Sequence, residues 1–366
     1  MPVTAQGTTV VVLRKRDLSG AGERWNDPNG ITASAESRRG ILLSNPSLRD
    51  DDPVQLVGLQ GNRVIGSSCV ISGRMVVESQ EHPFLWCSNL FVDPAARRTM
   101  IALKIVKALQ ELSPTVAVCG TSHAAYALYK AFGWIDFAMP RYILLRRSRP
   151  VLERRIGEGM LSRCLRIPVD SGLRMFNHRL LRPRSRLEWN VSRAVPQELA
   201  ERLDGRPDEK PNTFLKRGAE TVQWQLNGGI PGTPGDCNFL VTIYAAGTLA
   251  GYAAAKVKFF PVASAQGYRN LRLGSLYDWC ILDREKLSFR DLVACASREL
   301  VERGADAVEL CATDTQEEAI LRSMWLPRMG ENHLMWRTEK GGTLDHERYR
   351  NRERWHIRPG DDDLFI

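Results

Sequence analysis

The sequence holds no apolar run approaching the ~20 residues that a membrane-spanning helix needs. It also has no Cys-x-x-Cys pair, no His-Glu-x-x-His, no EF-hand pattern and no phosphate-binding Gly-rich loop ending in Gly-Lys-Ser/Thr. These absences argue against a helical membrane protein, a clustered zinc site, a helix-borne zinc hydrolase and a P-loop nucleotide enzyme. The eight cysteines stand singly at 69, 87, 119, 164, 237, 280, 295 and 311. Several fall inside apolar segments, where a reduced thiol packs as a small hydrophobe. The opening MPVTAQGTTVVVLRKRD sets its basic cluster behind a very short apolar stretch, the reverse of a secretory signal. The expectation is a metal-free cytoplasmic protein, with a peripheral position on the inner membrane as the alternative. The acidic run Asp361–Asp363 has no neighbouring His or loop pattern and reads as a solvated terminus.

Positive charge is plentiful but confined. Between Arg141 and Arg186 stand thirteen arginines against three acids, Glu153, Glu158 and Asp170, a net of +10. The whole chain carries +9, so the rest sums to −1. A chain basic throughout would suggest nucleic acid. One basic connector argues against DNA and asks instead what that connector touches. It mixes Leu, Ile, Met and Phe with Arg at helix-like intervals. Such a helix suits an anionic membrane surface or an acidic partner such as acyl carrier protein. The plainer reading is a linker whose apolar face packs between two modules.

TTVVVL (8–13) reads as a strand by its β-branched run, and Asp27-Pro28-Asn29-Gly30 as a turn. VQLVGLQ (54–60) and VIGSSCVI (64–71) read as a hairpin, and FLWCSNLFV (84–92) as a further strand. Residues 97–112 have helical periodicity, TVAVC (115–119) is a strand, AAYALYKAFGW a helix capped by Gly133, and RYILL (141–145) a strand. The implied crossover joins two neighbouring parallel strands. A second pass repeats this order: strands at 239–245, 249–260 and 276–282, a helix at 289–304, then strand 306–312, helix 317–325 and strand 333–338. The fold class is therefore α/β of the mixed α+β kind, two tandem modules, each a mostly antiparallel twisted sheet flanked by helices. The boundaries expected are 1–147 and 189–340 for the modules, 148–188 for the connector and 341–366 for a tail.

The turn Asp93–Met100 lies between a strand and a helix start. The first amides of a helix have no partner within it, and the helix dipole adds partial positive charge there. Arg97 and Arg98 add two full charges. Such a turn suits a phosphate or diphosphate; two solvated surface arginines are the plain alternative.

CGTSHAAYALYKAFGW resembles the last signature segment of the GNAT acyltransferase superfamily, Asn-x-x-Ala-x-x-Leu-Tyr-x-x-x-Gly-Phe. Ser122, Ala125, Leu128, Tyr129, Gly133 and Trp134 fall at the matching positions. The earlier turn resembles that family's Val-x-Pro-x-x-Arg-x-x-Gly-x-(Gly/Ala) through Val92, Pro94, Arg97 and Ala102, with Met100 where the family has its turn glycine. The resemblance implies an acyl-CoA co-substrate, acetyl-CoA or another thioester, and no metal. It implies that the amides of Arg97, Arg98, Thr99, Met100, Ile101 and Ala102 cradle the diphosphate, with Ser122 in the same binding set. Leu90, Phe91 and Val92 would pair with the pantetheine arm through their main chain. Tyr129 would protonate the departing thiolate. Glu81 and His82, placed just before the strand, and His123 are candidates for the base that deprotonates an amine. The second copy has Arg284-Glu285-Lys286-Leu287-Ser288 at its turn and no tyrosine in its last helix, so it reads as degenerate for coenzyme A. Its Asp278 either lines an acceptor cleft or is paired structurally.

Gly120-Thr121-Ser122-His123-Ala124 also has the spacing of a hydrolase nucleophile elbow, but the Gly-rich oxyanion loop that such an enzyme needs is missing. The function implied by the resemblance is N-acylation of a small-molecule amine, such as an amino sugar or surface-polysaccharide precursor. Two alternatives stand beside it: a Fem-type aminoacyltransferase drawing on aminoacyl-tRNA, and a non-catalytic GNAT-fold binding or scaffolding protein.

Overall fold

The computed structural model describes residues 7–17, 43–157, 159–184, 186–204, 212–213, 216–228, 237–260, 270–339 and 349–359. The turn expected at 27–30 and the acidic run 361–363 lie outside them. The first half runs β1 (Thr8–Arg14), β2 (Pro53–Gln60), β3 (Arg63–Val77), β4 (Gln80–Val92), α1 (Ile101–Leu112), β5 (Thr115–Cys119), α2 (His123–Ala131) and β6 (Ile135–Leu145). Helices α3 (Arg149–Ile156) and α4 (Met160–Leu180) form the connector. The second half runs β7 (Leu187–Ser192), α5 (Gln197–Asp204), β8 (Asn212–Thr213), α6 (Ala219–Asn227), β9 (Cys237–Ala245), β10 (Thr248–Phe260), β11 (Leu271–Ile281), α7 (Phe289–Glu302), β12 (Ala307–Cys311), α8 (Thr315–Ser323), β13 (Arg328–Thr338) and β14 (Trp355–His356).

Local chemistry sets most of these boundaries. In α1, Ile101, Ile105, Val106 and Leu109 recur at helical spacing and are the residues it buries. Side-chain oxygens of Ser122, Ser288 and Asp314 each accept an amide three residues on, capping α2, α7 and α8. Gly133, at φ +75°, ends α2 in the left-handed region that glycine enters without steric cost.

One open sheet runs through both halves, in the order β1-β2-β3-β4-β5-β13-β6-β12-β11-β10-β9-β7. Along that path the pairs are antiparallel except β4 with β5 and β11 with β12; off it, β14 pairs with β8 in parallel. At its centre the halves exchange their final strands. β13, from the second half, pairs with β5 of the first, and β6, from the first, pairs with β12 of the second. The two exchanged strands then pair with each other. The halves are thus not separate bodies joined by a linker; each completes the other's sheet. The aromatic core crosses the same seam, with Trp86 and Phe137 packed in one cluster with Trp336, Tyr349 and Trp355.

The segment 349–359 is a clasp over this seam. β14 pairs with β8, which pairs with β3. Arg352 donates to the carbonyl of Ala138, and Arg354 pairs with Glu78 at 3.1 Å. The chain then carries Arg358 into the second half, where its guanidinium is buried.

The connector does not pack between modules by its apolar face, as the plainer reading of the sequence had it. In α4 only Ser162, Asn177 and Leu180 are buried. Asn177 Nδ2 donates to the carbonyl of Leu145 at 2.8 Å, and Asp170 accepts from the amide and hydroxyl of Ser148, both at 2.7 Å. These polar ties fix one edge of the helix and leave its apolar residues outward.

Candidate active site

β4 and β5 are joined over three residue pairs only, Leu85/Val116, Trp86/Ala117 and Cys87/Val118. Beyond Cys87 the register of β4 against β3 shifts, and Asn89 takes φ +50°. Asn tolerates that conformation better than most residues. The bulge turns β4 away from β5. Residues 88–92 therefore run on beside β3 alone, and β5 stops at Cys119 before Gly120 at φ +63°. The result is a V-shaped split whose apex is Cys87, with Leu90, Phe91 and Val92 along one arm.

At the mouth of that arm, the Asp93 carboxylate accepts the amide of Ala95 at 3.0 Å and pairs with Arg63 at 2.9 Å. A short 3₁₀ turn, Pro94–Ala96, follows, and Thr99 closes on the carbonyl of Ala96 through its amide and hydroxyl. Met100 then takes φ +62°, the conformation a glycine would favour, and α1 begins. Met100 is 58 % exposed. Among the described residues, no acceptor lies in hydrogen-bond geometry to the amides of Ile101, Ala102 or Leu103. Arg97 and Arg98 are exposed and form no ion pair among the described residues. Gly58 lets α1 sit this close: a Cβ there would lie 2.5 Å from Ile101 Cγ1. Replacing Met100 by Gly relieves a left-handed side chain worth about 1 kcal/mol. The variant should melt higher and bind a diphosphate ligand more tightly, checked by thermal denaturation and calorimetric titration with coenzyme A.

Tyr129 lies on α2, wholly buried, with its hydroxyl 3.3 Å from Cys87 Sγ at the apex of the split. Cys87 Sγ is in turn 3.0 Å from Ser68 Oγ, which donates to the carbonyl of Ser88. Burial first, and then the Cys87 thiol, raise the Tyr129 hydroxyl well above the ordinary tyrosine value. It holds its proton throughout the working range, as a reservoir donor must. Ser88 Oγ, Thr121 Oγ1 and Trp134 Nε1 are buried without hydrogen-bond partners in the structure. They stand where the arms part, at the β5–α2 turn, and against Tyr129, whose ring is 4.5 Å from that of Trp134. Free amides, free guanidinium groups and unpartnered buried donors fit a thioester co-substrate with a diphosphate at one end and amides along its arm.

The other expected residues are dispersed. Ser122 serves as the α2 cap, its Oγ accepting from Ala125, which also disposes of the nucleophile-elbow pattern. His123 is exposed beside it. Glu81 and His82 lie within β4, not before it, opposite Val76 and Met75. They are about 20 Å along the strand from its bulge. Glu81 pairs with Lys216 at 2.6 Å, a hydrogen bond that lowers its pKa. Asp278 is fully buried and takes the paired role: Arg217 Nε donates to it at 3.0 Å and the Tyr252 hydroxyl at 2.7 Å.

Sequence reasoning missed one constellation. Asp136 on β6 accepts from the Tyr126 hydroxyl at 2.7 Å and stands 2.9 Å from His333 Nδ1, on β13. The His333 side chain is 33 % exposed. Because Leu334 pairs with Cys119, His333 sits one strand over from the end of β5. Strand exchange brings this His–Asp pair, separated by 197 positions, to the rim of the split. No local signal in the sequence could have joined them.

The second half has the same split in outline, β11 and β12 pairing only from Leu273/Ala307 to Ser275/Glu309, but it is filled. Arg358 Nε donates to the carbonyl of Trp279 at 3.1 Å and its NH1 to Thr313 Oγ1 at 2.7 Å. Glu317 lies 3.4 Å from Arg358 and accepts from Trp279 Nε1 at 2.9 Å. At the turn, Asp283 accepts the amides of Glu285 and Lys286, much as Asp93 accepts that of Ala95; the difference lies at the helix start, where Ser288 Oγ accepts the Asp291 amide and α1 has no side-chain cap. Leu321 stands where α2 has Tyr129, the seventh residue of each helix. Two cavities, of about 510 and 520 Å³, lie elsewhere, lined around Arg141, Val151 and Glu309 and around Lys107, Ser113 and Arg337.

The sequence matches no family model, and a search of the curated proteins returns no match. Solved structures do resemble it. N-myristoyltransferase of Saccharomyces cerevisiae with bound myristoyl-CoA superposes with a TM-score of 0.58 at 10 % identity, covering 92 % of this chain and 80 % of that one. A GCN5-related N-acetyltransferase from Anabaena variabilis gives 0.54 at 13 % identity over 90 % and 72 %. A tandem GNAT protein from the clavulanic acid biosynthesis pathway gives 0.51 at 14 % identity over 92 % of this chain and all of that one. At such identities the likeness shows the fold.

Proposed function

We propose that this chain, which has the GNAT fold in tandem, transfers an acyl group from an acyl-CoA to the amine of a small molecule, using its first half. The observation that carries the reading is the contrast between the two splits. One has, among the described residues, free amides and two unpaired arginines at its mouth, and a buried tyrosine at its apex. The other is filled by Arg358 and Glu317, and its helix start is capped by Ser288. A myristoyl-CoA complex of the yeast neighbour supports a thioester as the class of co-substrate.

In this reading Arg97, Arg98 and the first amides of α1 hold the diphosphate end, and the main chain of residues 90–92 aligns the arm. That alignment sets the thioester carbonyl near Cys87 and makes the attack of a bound amine effectively unimolecular. His333, oriented through Nδ1 by Asp136, takes the amine proton at Nε2; of the candidate bases it is the one held by a carboxylate at the rim. The amine nitrogen forms the amide bond, the carbon–sulfur bond breaks, and Tyr129 supplies the proton to the leaving thiolate. An amino sugar or a related surface-polysaccharide precursor is the acceptor class we favour, in the cleft beside the exchanged strands, and an acyl carrier protein is an alternative source of the thioester.

Thiol release from acetyl- and long-chain acyl-CoA, measured against a panel of amines, tests the function. Amine-dependent release supports it. Thermal stabilisation by bulk tRNA and not by thioesters would replace it with an aminoacyl-tRNA reading, and silence toward both would leave a binding protein. For the base, His333→Gln should lower kcat by about a hundredfold or more, the usual contribution of a positioned general base. Thioester affinity should stay unchanged; a kcat identical to wild type removes His333 from the reaction.

A further inference from the structure

Helix α4 is long and thinly covered. Of its 21 residues, only Ser162, Asn177 and Leu180 are buried. Met160, Leu161, Ile167 and Met175 are 83, 63, 75 and 73 % exposed, and Leu165, Val169 and Phe176 are exposed as well. At 100° per residue, Met160, Leu161, Leu165, Val169, Met175 and Phe176 spread over about half of the helix circumference, away from the anchored edge. Soluble surfaces rarely leave so continuous an apolar face bare. Arg163 and Arg174 border it and Arg179, in the last turn, falls within it; the helix carries four arginines against one acid, Asp170. That acid is already engaged by Ser148. The surrounding segment 141–186 holds the chain's whole positive excess.

We propose that α4 is a membrane-docking helix that lies in the headgroup region of an anionic bilayer. Charge complementarity selects an anionic occupant, and the shape selects a bilayer over an acidic protein. A partner helix or groove needs a narrow seam of anchors, whereas this face is wide and convex. A lipid interface accepts a half-circumference of Leu, Ile, Met and Phe with arginines at its margin. No helix among the described residues is long and apolar enough to cross a membrane, so the contact is peripheral. Pro168, inside the helix, removes one amide from its ladder and allows a bend against a curved surface. The inference stands independently of acyl transfer.

The test uses the full chain with vesicles of phosphatidylcholine alone and of phosphatidylcholine with phosphatidylglycerol, followed by flotation. Binding should be confined to the anionic vesicles and should weaken with salt, each arginine removed costing roughly fivefold in partitioning. Leu161→Asp with Met175→Asp should lower partitioning at least tenfold while leaving the circular dichroism spectrum and the melting temperature unchanged, since both side chains are exposed. Arg163→Glu with Arg174→Glu is the second variant, expected to abolish the preference for anionic lipid. Indifference to anionic vesicles, or equal partitioning by the aspartate variant, overturns the proposal. So does a dimer in sizing experiments that the aspartate variant dissolves, which would give the face to a second copy, or binding to an acidic carrier protein in place of lipid.

Discussion

Replacing Arg97 and Arg98 together by alanine should weaken acyl-CoA binding by about a hundredfold at low salt. Each guanidinium is exposed and has no ion pair among the described residues, so neither has an internal duty to lose. A hydrogen bond to a charged group contributes about 1.5–3 kcal/mol, and two such losses reach the hundredfold range. The effect should shrink as salt rises, because exposed charges are screened over about 10 Å at 0.1 M. The corresponding pair in the second half, Arg284 and Lys286, should be silent, since Arg358 and Glu317 fill that split and Ser288 caps its helix. Isothermal titration of both double variants at two salt concentrations separates a seat for diphosphate from a general effect of positive charge.

Arg358→Ala should lower stability by about 3–5 kcal/mol, the usual cost of stranding one member of a buried ion pair. Glu317 would keep its bonds from Trp279, Thr313 Oγ1 and the Thr313 amide but lose the one cation paired with it among the described residues, at 8 % side-chain exposure. The Arg358 guanidinium also stacks 4.3 Å from the Trp279 ring, a contact that alanine cannot make. In a chain this size the melting temperature should fall by roughly 5–10 °C. Replacing both partners by apolar residues of similar volume should recover much of that loss, since a buried pair contributes little net stability. Thioester binding in the first half should not change. Denaturation curves of the single and double variants give the coupling directly, and additive losses would show that the two groups do not act as a pair.

The order of elements was legible wherever a strand or helix carried its own pattern. The β-branched run at 8–13, the hairpin at 54–71 and the apolar stripe of α1 each state their period locally. β6 was read as only 141–145, the apolar run that follows Pro140. In the structure β6 starts at Ile135. Pro140 is tolerated because its nitrogen faces β12 just past that strand's end at Cys311: the carbonyl still accepts from Ala312, and only one terminal ladder bond is forgone. β4 was read short at its other end, which is why Glu81 and His82 were expected near the split and lie about 20 Å from its bulge instead. The exchange of β6 and β13 left no trace in either strand, because hydrophobic alternation specifies a face and not a neighbour. Everything that depends on that exchange was invisible for the same reason: the His333–Asp136 pair, the shared aromatic core and the reach of Arg358 into the second split. The turn proposed to seat the diphosphate was legible because it is local, and Met100 has the left-handed backbone that a glycine would favour.

A crystal structure of the protein grown with coenzyme A tests the central claim most directly. Density for the diphosphate should lie at the first turn of α1, within hydrogen-bond distance of the Ile101 and Ala102 amides, with the thiol end near Cys87 and Tyr129. Coenzyme A bound between β11 and β12, or an empty α1 turn at saturating ligand, would contradict the account.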